Sequence, residues 1–344
     1  MTDFRSTSLV TLNQFIRTEQ FRHSGARGAF TNIMLSIGLG TKVVSRGVAQ
    51  AGLAQMLGLS GKQNVQGEEV QKLDEYSDIV FSNTVGKSGE FSSMVSEERD
   101  MLFEPEHGSL YSDYVIAFDP VDGSSNIDAN ISIGTIWGAY KRVSTGERPD
   151  PADITDFLQP GCKQVAAGYA IYGSSTMFVF STGNGVDGFT LDPTIGEFVL
   201  THPKMEMPKD GAVYSCNEGN YKNWSPGVRA YIDHLKGMDG NEDSPNKSLR
   251  YVGSLVADFH RTLLKGGIFL YPADKKNKKG KLRHLYECAP LAFLAEQAGG
   301  MASNGKGGRL LEVVPETIHE RSPLFIGSEK MVRELEQYLA KHDA

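Results

Sequence analysis

Residues 118–128 read Phe118-Asp119-Pro120-Val121-Asp122-Gly123-Ser124-Ser125-Asn126-Ile127-Asp128. They follow an apolar run, Tyr114 to Phe118, with the composition of a buried strand. Asp-Pro and Asp-Gly are turn dipeptides, so the chain is expected to leave the strand at Asp119. Asp119 and Asp122 then project from one strand end, followed at once by the backbone N–H groups of Gly123, Ser124 and Ser125. Paired carboxylates suit hard divalent cations, which take oxygen ligands. Bare amides and hydroxyls in a turn suit a phosphate. A turn whose Asp side chains only cap amides would use the same dipeptides. It would not need the whole string, which points to a metal-dependent phosphatase site.

Outward from this stretch, apolar spacing predicts helices over 9–22 and 28–57, the second with Ile33, Ile37, Val44 and Val48 on one face. Residues 61–74 form a polar stretch that enters another helix near Val70. Short strands are predicted over 132–141, 164–171, 176–181, 186–191 and 196–200, with a polar segment at 201–210. Beyond it a strand at 213–216, helices over 226–236 and 256–265, a strand at 267–271, and helices over 288–298 and 329–341 are expected. The change of pattern near 205 divides the chain into candidate domains 1–205 and 206–344. Gly183 to Gly188 fits G-x-G-x-x-G, but another strand follows where a dinucleotide site needs a helix, so a hairpin turn is expected.

Two further acidic groups stand apart from the first. Glu97 and Glu98 follow Phe91–Ser96, a short strand, and neighbours on a strand can serve one site only at its end. Glu287 lies in the apolar Leu285-Tyr286-Glu287-Cys288-Ala289-Pro290 and needs a partner, either a metal or an arginine such as Arg283. Lys275, Lys276, Lys278 and Lys279 read as a solvated turn. Lys281 and Arg283 alternate with Leu282 toward Glu287, so one of them can face the carboxylate's site.

Composition narrows the classes. With 344 residues, 40% hydrophobic and 22% charged, the chain is that of a globular protein of one large or two closely packed domains. A net charge of −7 argues against nucleic acid as the main partner. No run approaches membrane-spanning length and no signal segment is evident, so a cytoplasmic protein is expected. Cys162, Cys216 and Cys288 are too scattered for disulfides or a metal knuckle. Zinc motifs, a P-loop and a G-x-S-x-G elbow are lacking, which leaves oxygen ligands and Mg²⁺, with Mn²⁺ as the alternative.

The chain resembles class I fructose-1,6-bisphosphatases, of the superfamily that includes inositol monophosphatases. The resemblance runs from about residue 12 to 340, through Ser96-Glu97-Glu98, 118–128, SIGTIWGAY at 132–140, VAAGYAIYGSSTM at 165–177, Asn217-Glu218-Gly219, RYVGSLVADFHR at 250–261 and GKLRHLYECAP at 280–290. It implies an α/β fold, a layered α-β-α-β-α sandwich with mixed sheets, and a homotetramer. It implies Mg²⁺-dependent hydrolysis of the 1-phosphate of fructose 1,6-bisphosphate, the gluconeogenic step. The implied metal ligands are Glu97, Glu98, Asp119, Asp122, Glu287 and the Val121 carbonyl, with Glu68 on a closing loop. Asp74 and Glu98 are implied to activate water, and Asp122, Gly123, Ser124 and Ser125 to hold the 1-phosphate. Asn217, Tyr251, Tyr271 and Lys281 are implied to bind the sugar and 6-phosphate, with Arg250 reaching a neighbouring subunit.

Regulation departs from the pattern. AMP-inhibited relatives hold the nucleotide's phosphate at the start of the second helix, and Gly28, Thr31, Tyr114 and Lys141 keep that candidate effector site. Arg27 replaces a threonine, Ala29 a glutamate and Asp113 a lysine, so weak or absent AMP inhibition is expected. The alternatives are a bisphosphatase that also accepts sedoheptulose 1,7-bisphosphate and, more remotely, a non-catalytic sugar-phosphate sensor.

Overall fold

The structure, a computed structural model, describes residues 9–21, 28–54, 56–63, 69–106, 110–144 and 152–343. Its largest sheet has seven strands in the order Ser93–Ser96, Tyr114–Asp122, Ile133–Lys141, Gln164–Tyr172, Thr176–Ser181, Val186–Asp192 and Glu197–Met205. The first pair is parallel and the rest run antiparallel. Side chains alternate between two cores: in Gln164–Tyr172, Ala166, Ala170 and Tyr172 face one, and Ala167, Tyr169 and Ile171 the other. Burial on both faces explains why these strands read as unbroken apolar runs.

In chain order the helices are α1 (Leu12–Phe21), α2 (Ala29–Gln50), α3 (Lys72–Gly86), α4 (Pro226–Leu235), α5 (Leu255–Lys265), α6 (Ala289–Gln297) and α7 (Glu329–His342). The first three cover one face of the large sheet, burying Leu12, Ile16, Ile33, Ile37, Val44, Phe81 and Val85 against Phe118, Ala139 and Phe178. Its other face packs on α5 and α6, through Val256, Phe259, Leu263, Leu291 and Leu294. α6 is buried from Ala289 to Ala295 and so shows no polar stripe. Beyond it a mixed five-stranded sheet runs Ser248–Leu249, Val213–Ser215, Ile268–Tyr271, Leu324–Gly327 and Met301–Ser303. α4 and α7 close its outer face with Val228, Tyr231, Ile232, Val332 and Leu335. The layers are therefore α-β-α-β-α, the expected fold. One core draws side chains from both sides of residue 205, Ile136 and Tyr169 with Phe269 and Ile326.

Several boundaries differ from expectation. The strand from Tyr114 does not end at Asp119 but passes through Pro120 to Asp122. The polar residues 201–205 continue the edge strand Glu197–Met205, half exposed and free to be polar. α2 stops at Gln50, short of residue 57. α3 begins at Lys72, after Leu59–Gln63 pairs antiparallel with Glu69–Gln71. Gly183 and Gly185, with φ of 91° and 92°, form the hairpin expected between Thr176–Ser181 and Val186–Asp192.

Candidate metal and phosphate site

Asp119 and Asp122 are three residues apart, which on a regular strand would aim them at opposite faces. The pairing shows why they do not diverge. Asp119 stands opposite Ile136 and Asp122 opposite Gly134, so one extra residue is accommodated between them. This is a bulge, the common device for re-aiming a side chain beside a site. Pro120, which has no N–H to give a ladder, sits within it. The Val121 N–H donates to Asp119 Oδ1 at 2.9 Å and fixes the bend. The chain then turns at Gly123, φ 79°, into a 3₁₀ turn over Ser124–Ala129. A Cβ on Gly123 would lie 2.9 Å from Ser254 Cβ and Oγ, so glycine is required twice over.

The other acids arrive from separate elements. Glu97 and Glu98 follow Ser93–Ser96 in a turn, where the Glu97 N–H donates to the Phe118 carbonyl at 3.1 Å. Glu287 sits in a π-helical turn, His284–Cys288, leading into α6; such irregular turns are frequent at functional sites. Asp74 is in the first turn of α3, its Oδ2 accepting the Gln71 N–H at 2.9 Å. Ligand atoms of Asp119, Asp122 and Glu287 all lie within 4.8 Å of one another. Asp74, Glu97, Glu98, the three clustered acids, Gly123, Ser124 and Ser125 line one cleft of about 350 Å³. Tyr251, Tyr271, Lys281 and Arg283 line it too.

Burial dominates the electrostatics. It raises Asp119 and Glu287 well above the usual carboxylate range, and the neighbouring Glu97 charge raises them further. Asp122 is pushed up to about 7 by burial, against the lowering effect of the Val256 N–H, which donates to its Oδ2 at 2.8 Å. Asp74 is also pushed up to about 7 by burial, against the lowering effect of the Gln71 N–H and the Ser124 hydroxyl. Acids so placed favour a bound cation over a set of mutually repelling charges. The donor set, all carboxylate oxygen, fits a hard divalent ion. The Arg283 guanidinium pairs with Glu97 Oε1 at 3.3 Å, while Glu287 receives the Arg283 backbone N–H. Of the two partners open to Glu287 from sequence, the arginine side chain thus serves another acid.

Two matches cover the chain almost end to end. The family model described as fructose-1-6-bisphosphatase, N-terminal domain, matches residues 10–203, and that for the C-terminal domain matches 207–340. The chain belongs to the fructose-1,6-bisphosphatase family. A cytosolic fructose-1,6-bisphosphatase of Arabidopsis thaliana is 52% identical, over 99% of this chain and 98% of that relative. A class 1 fructose-1,6-bisphosphatase of Sulfurihydrogenibium sp. (strain YO3AOP1) is 51% identical, over 96% and 98%. The crystal structure of Leishmania major fructose-1,6-bisphosphatase in holo form matches with a TM-score of 0.88 at 42% identity, covering 97% of this chain and all of that one. The family is one of phosphoric monoester hydrolases.

Not every residue carried over by family resemblance reaches the cleft. Asn217 is exposed and accepts the Gly219 N–H at 3.1 Å, capping the 3₁₀ turn Glu218–Asn223. Arg250 is exposed, its guanidinium donating to the Leu249 carbonyl at 2.7 Å. Neither lines the cleft of the single chain. Glu68 and Arg27 lie outside the described residues. Gly28, Thr31, Tyr114 and Lys141 do meet, lining a second cavity of about 640 Å³ with Asp113 and Ala29. Sequence reasoning missed Ser254 and the Val256 N–H as partners of Asp122. Nothing in their residue types advertises contact with a segment more than 130 positions away.

Proposed function

We propose that the chain hydrolyses the 1-phosphate of fructose 1,6-bisphosphate, giving fructose 6-phosphate and phosphate, with Mg²⁺ as cofactor and Mn²⁺ as the alternative. The observation that carries this is the convergence of Asp119, Asp122 and Glu287 in a cleft that Lys281 also lines. Glu97, Glu98, Asp119, Asp122, Glu287 and the Val121 carbonyl would hold the cations, joined by Glu68. When bound, these supply Lewis acidity and neutralise charge on the transferring phosphoryl group. The chain's own groups supply position. Asp122, Gly123, Ser124 and Ser125 present a carboxylate, amides and hydroxyls to the 1-phosphate, in line with catalysis that rests mainly on orientation. Asp74, poised near neutrality, suits a proton acceptor for the attacking water together with Glu98. Tyr251, Tyr271 and Lys281 take the sugar and the 6-phosphate from within the cleft. Asn217, outside it in the single chain, would have to turn inward to join them, and Arg250 serves a neighbouring copy in a tetramer. We read residues 1–205 and 206–344 as two domains sharing this cleft, in a cytoplasmic enzyme; the cytosolic Arabidopsis relative supports that setting.

Phosphate release from fructose 1,6-bisphosphate, sedoheptulose 1,7-bisphosphate and fructose 6-phosphate, with and without Mg²⁺, tests the reading. Metal-dependent release from the first is expected. Release from none would leave a sensor, and release from the second would broaden the substrate class. Asp113 lines the second cavity beside Lys141, where a nucleotide phosphate would meet a negative charge. Titration with AMP is accordingly expected to leave activity nearly unchanged; half-inhibition at low micromolar AMP would overturn that.

A further inference from the structure

The segment Arg250–Ser254 joins the two ends of the cleft. Tyr251 and Gly253 line the cleft, while Ser254 and the N–H of Val256 hold Asp122 Oδ2, at 3.3 and 2.8 Å. Gly253 adopts φ of 85°, which glycine takes without strain. The amides of the segment converge on one side chain. Asp258, in the first turn of α5 and fully buried, accepts the Val252 N–H at 3.1 Å, the Gly253 N–H at 3.0 Å and the Ser215 hydroxyl at 2.9 Å. Arg261 donates to it at 2.7 Å and also to the Arg250 carbonyl at 2.8 Å. The same segment is tied to the phosphate turn, since the Asn126 side chain donates to the Gly253 carbonyl at 3.0 Å.

A buried carboxylate with this many donors is a fixed strut, because each donor it releases would be stranded away from water. We infer that Asp258 is a positioning residue: it sets the Arg250–Ser254 segment and through it orients both Asp122 at the reacting end and Tyr251 at the sugar end. Asp258 itself is buried behind the cleft and does not line it. The inference rests on the phosphatase reading above and adds a prediction peculiar to it. A strut between the two ends should change turnover and substrate binding together, whereas a residue serving stability alone should change neither in the folded protein.

The test compares Asp258→Asn, Ser215→Ala and a control, Leu335→Ala, whose buried side chain packs with α4 beneath the second sheet. Asp258→Asn replaces one acceptor oxygen with a donor facing donors. It is expected to lower kcat and raise KM for fructose 1,6-bisphosphate, reducing kcat/KM by about 10²-fold, the scale of a misplacement near 1 Å. Ser215→Ala removes one partner and leaves the amides in place, so the same split is expected at several-fold. Leu335→Ala is expected to lower the melting temperature with kcat and KM unchanged. Mn²⁺ affinity, titrated by paramagnetic resonance without substrate, should weaken in Asp258→Asn and hold in the control. If Asp258→Asn fails to fold, Ser215→Ala decides by the same split and the same titration. Unchanged kcat, KM and Mn²⁺ affinity in a folded Asp258→Asn, or in Ser215→Ala where that variant decides, would overturn the inference. A wild-type chain that releases no phosphate would instead defeat the phosphatase reading, and the Mn²⁺ titration would still judge Asp258.

Discussion

Gly123 shows how much a single residue settles. Its positive φ turns the chain out of the bulged strand, and its missing Cβ lets the Ser254 segment approach. Gly123→Ala is expected to destabilise the protein by about 1–3 kcal/mol through backbone strain and contact with Ser254. It should also raise KM, because the Ser124 and Ser125 amides follow directly; thermal melts and steady-state kinetics read the two effects separately. At this scale the sequence spoke clearly. Asp-Gly announced a turn, and a turn is present one residue beyond Asp122. Asp-Pro announced another and misled, because a proline seated in a bulge leaves no ladder donor unused and the strand carries on.

Among elements, the strand pair Tyr114–Asp122 and Ile133–Lys141 decides the geometry of the acids. Gly134 stands opposite Asp122, and a Cβ there would lie 2.2 Å from the Ala170 carbonyl and 2.7 Å from Val256 Cγ1. Gly134→Ala must therefore shift backbone or α5. It is expected to cost about 1–3 kcal/mol and to lower activity by moving the Val256 N–H that holds Asp122. Calorimetry alongside phosphate release checks both; full activity would show that α5 adjusts freely. Helices and strands with plain periodicity were legible from the chain, including α4, α5 and α7. The π-helical turn carrying Glu287 was not, since local preference gives no warning of a distorted turn that packing imposes.

For the whole molecule, the gathered acids tie stability to pH and to cation. Asp74 and Asp122 rise from an ordinary 3.8 to about 7, both through burial. Between those values the folded chain binds more protons than the unfolded one, so without cation its stability falls as pH rises across that window. A divalent ion needs the acids deprotonated, so its affinity should rise over the same range. Melting temperatures with and without Mg²⁺ are expected to differ little near pH 5 and widely near pH 8. A gap that stays constant would show that these carboxylates do not hold the ion. Within the cleft Arg283 pairs with Glu97 and offsets only part of the effect of burial on Glu287, which still stands well above the usual carboxylate range.

By itself the sequence determined the kinds of chemistry available: acids in three segments, a glycine-serine turn able to take phosphate, and apolar periods that specify layered sheets and helices. Those features are local, written in side-chain type and spacing. Only tertiary structure decided that Asp119 and Asp122 face one cleft, that Arg283 serves Glu97, and that Asp258 holds the segment behind Asp122. Each depends on a bulge, a π-helical turn or a contact across more than a hundred residues, and such arrangements exist only when distant parts of the chain compete for the same buried space.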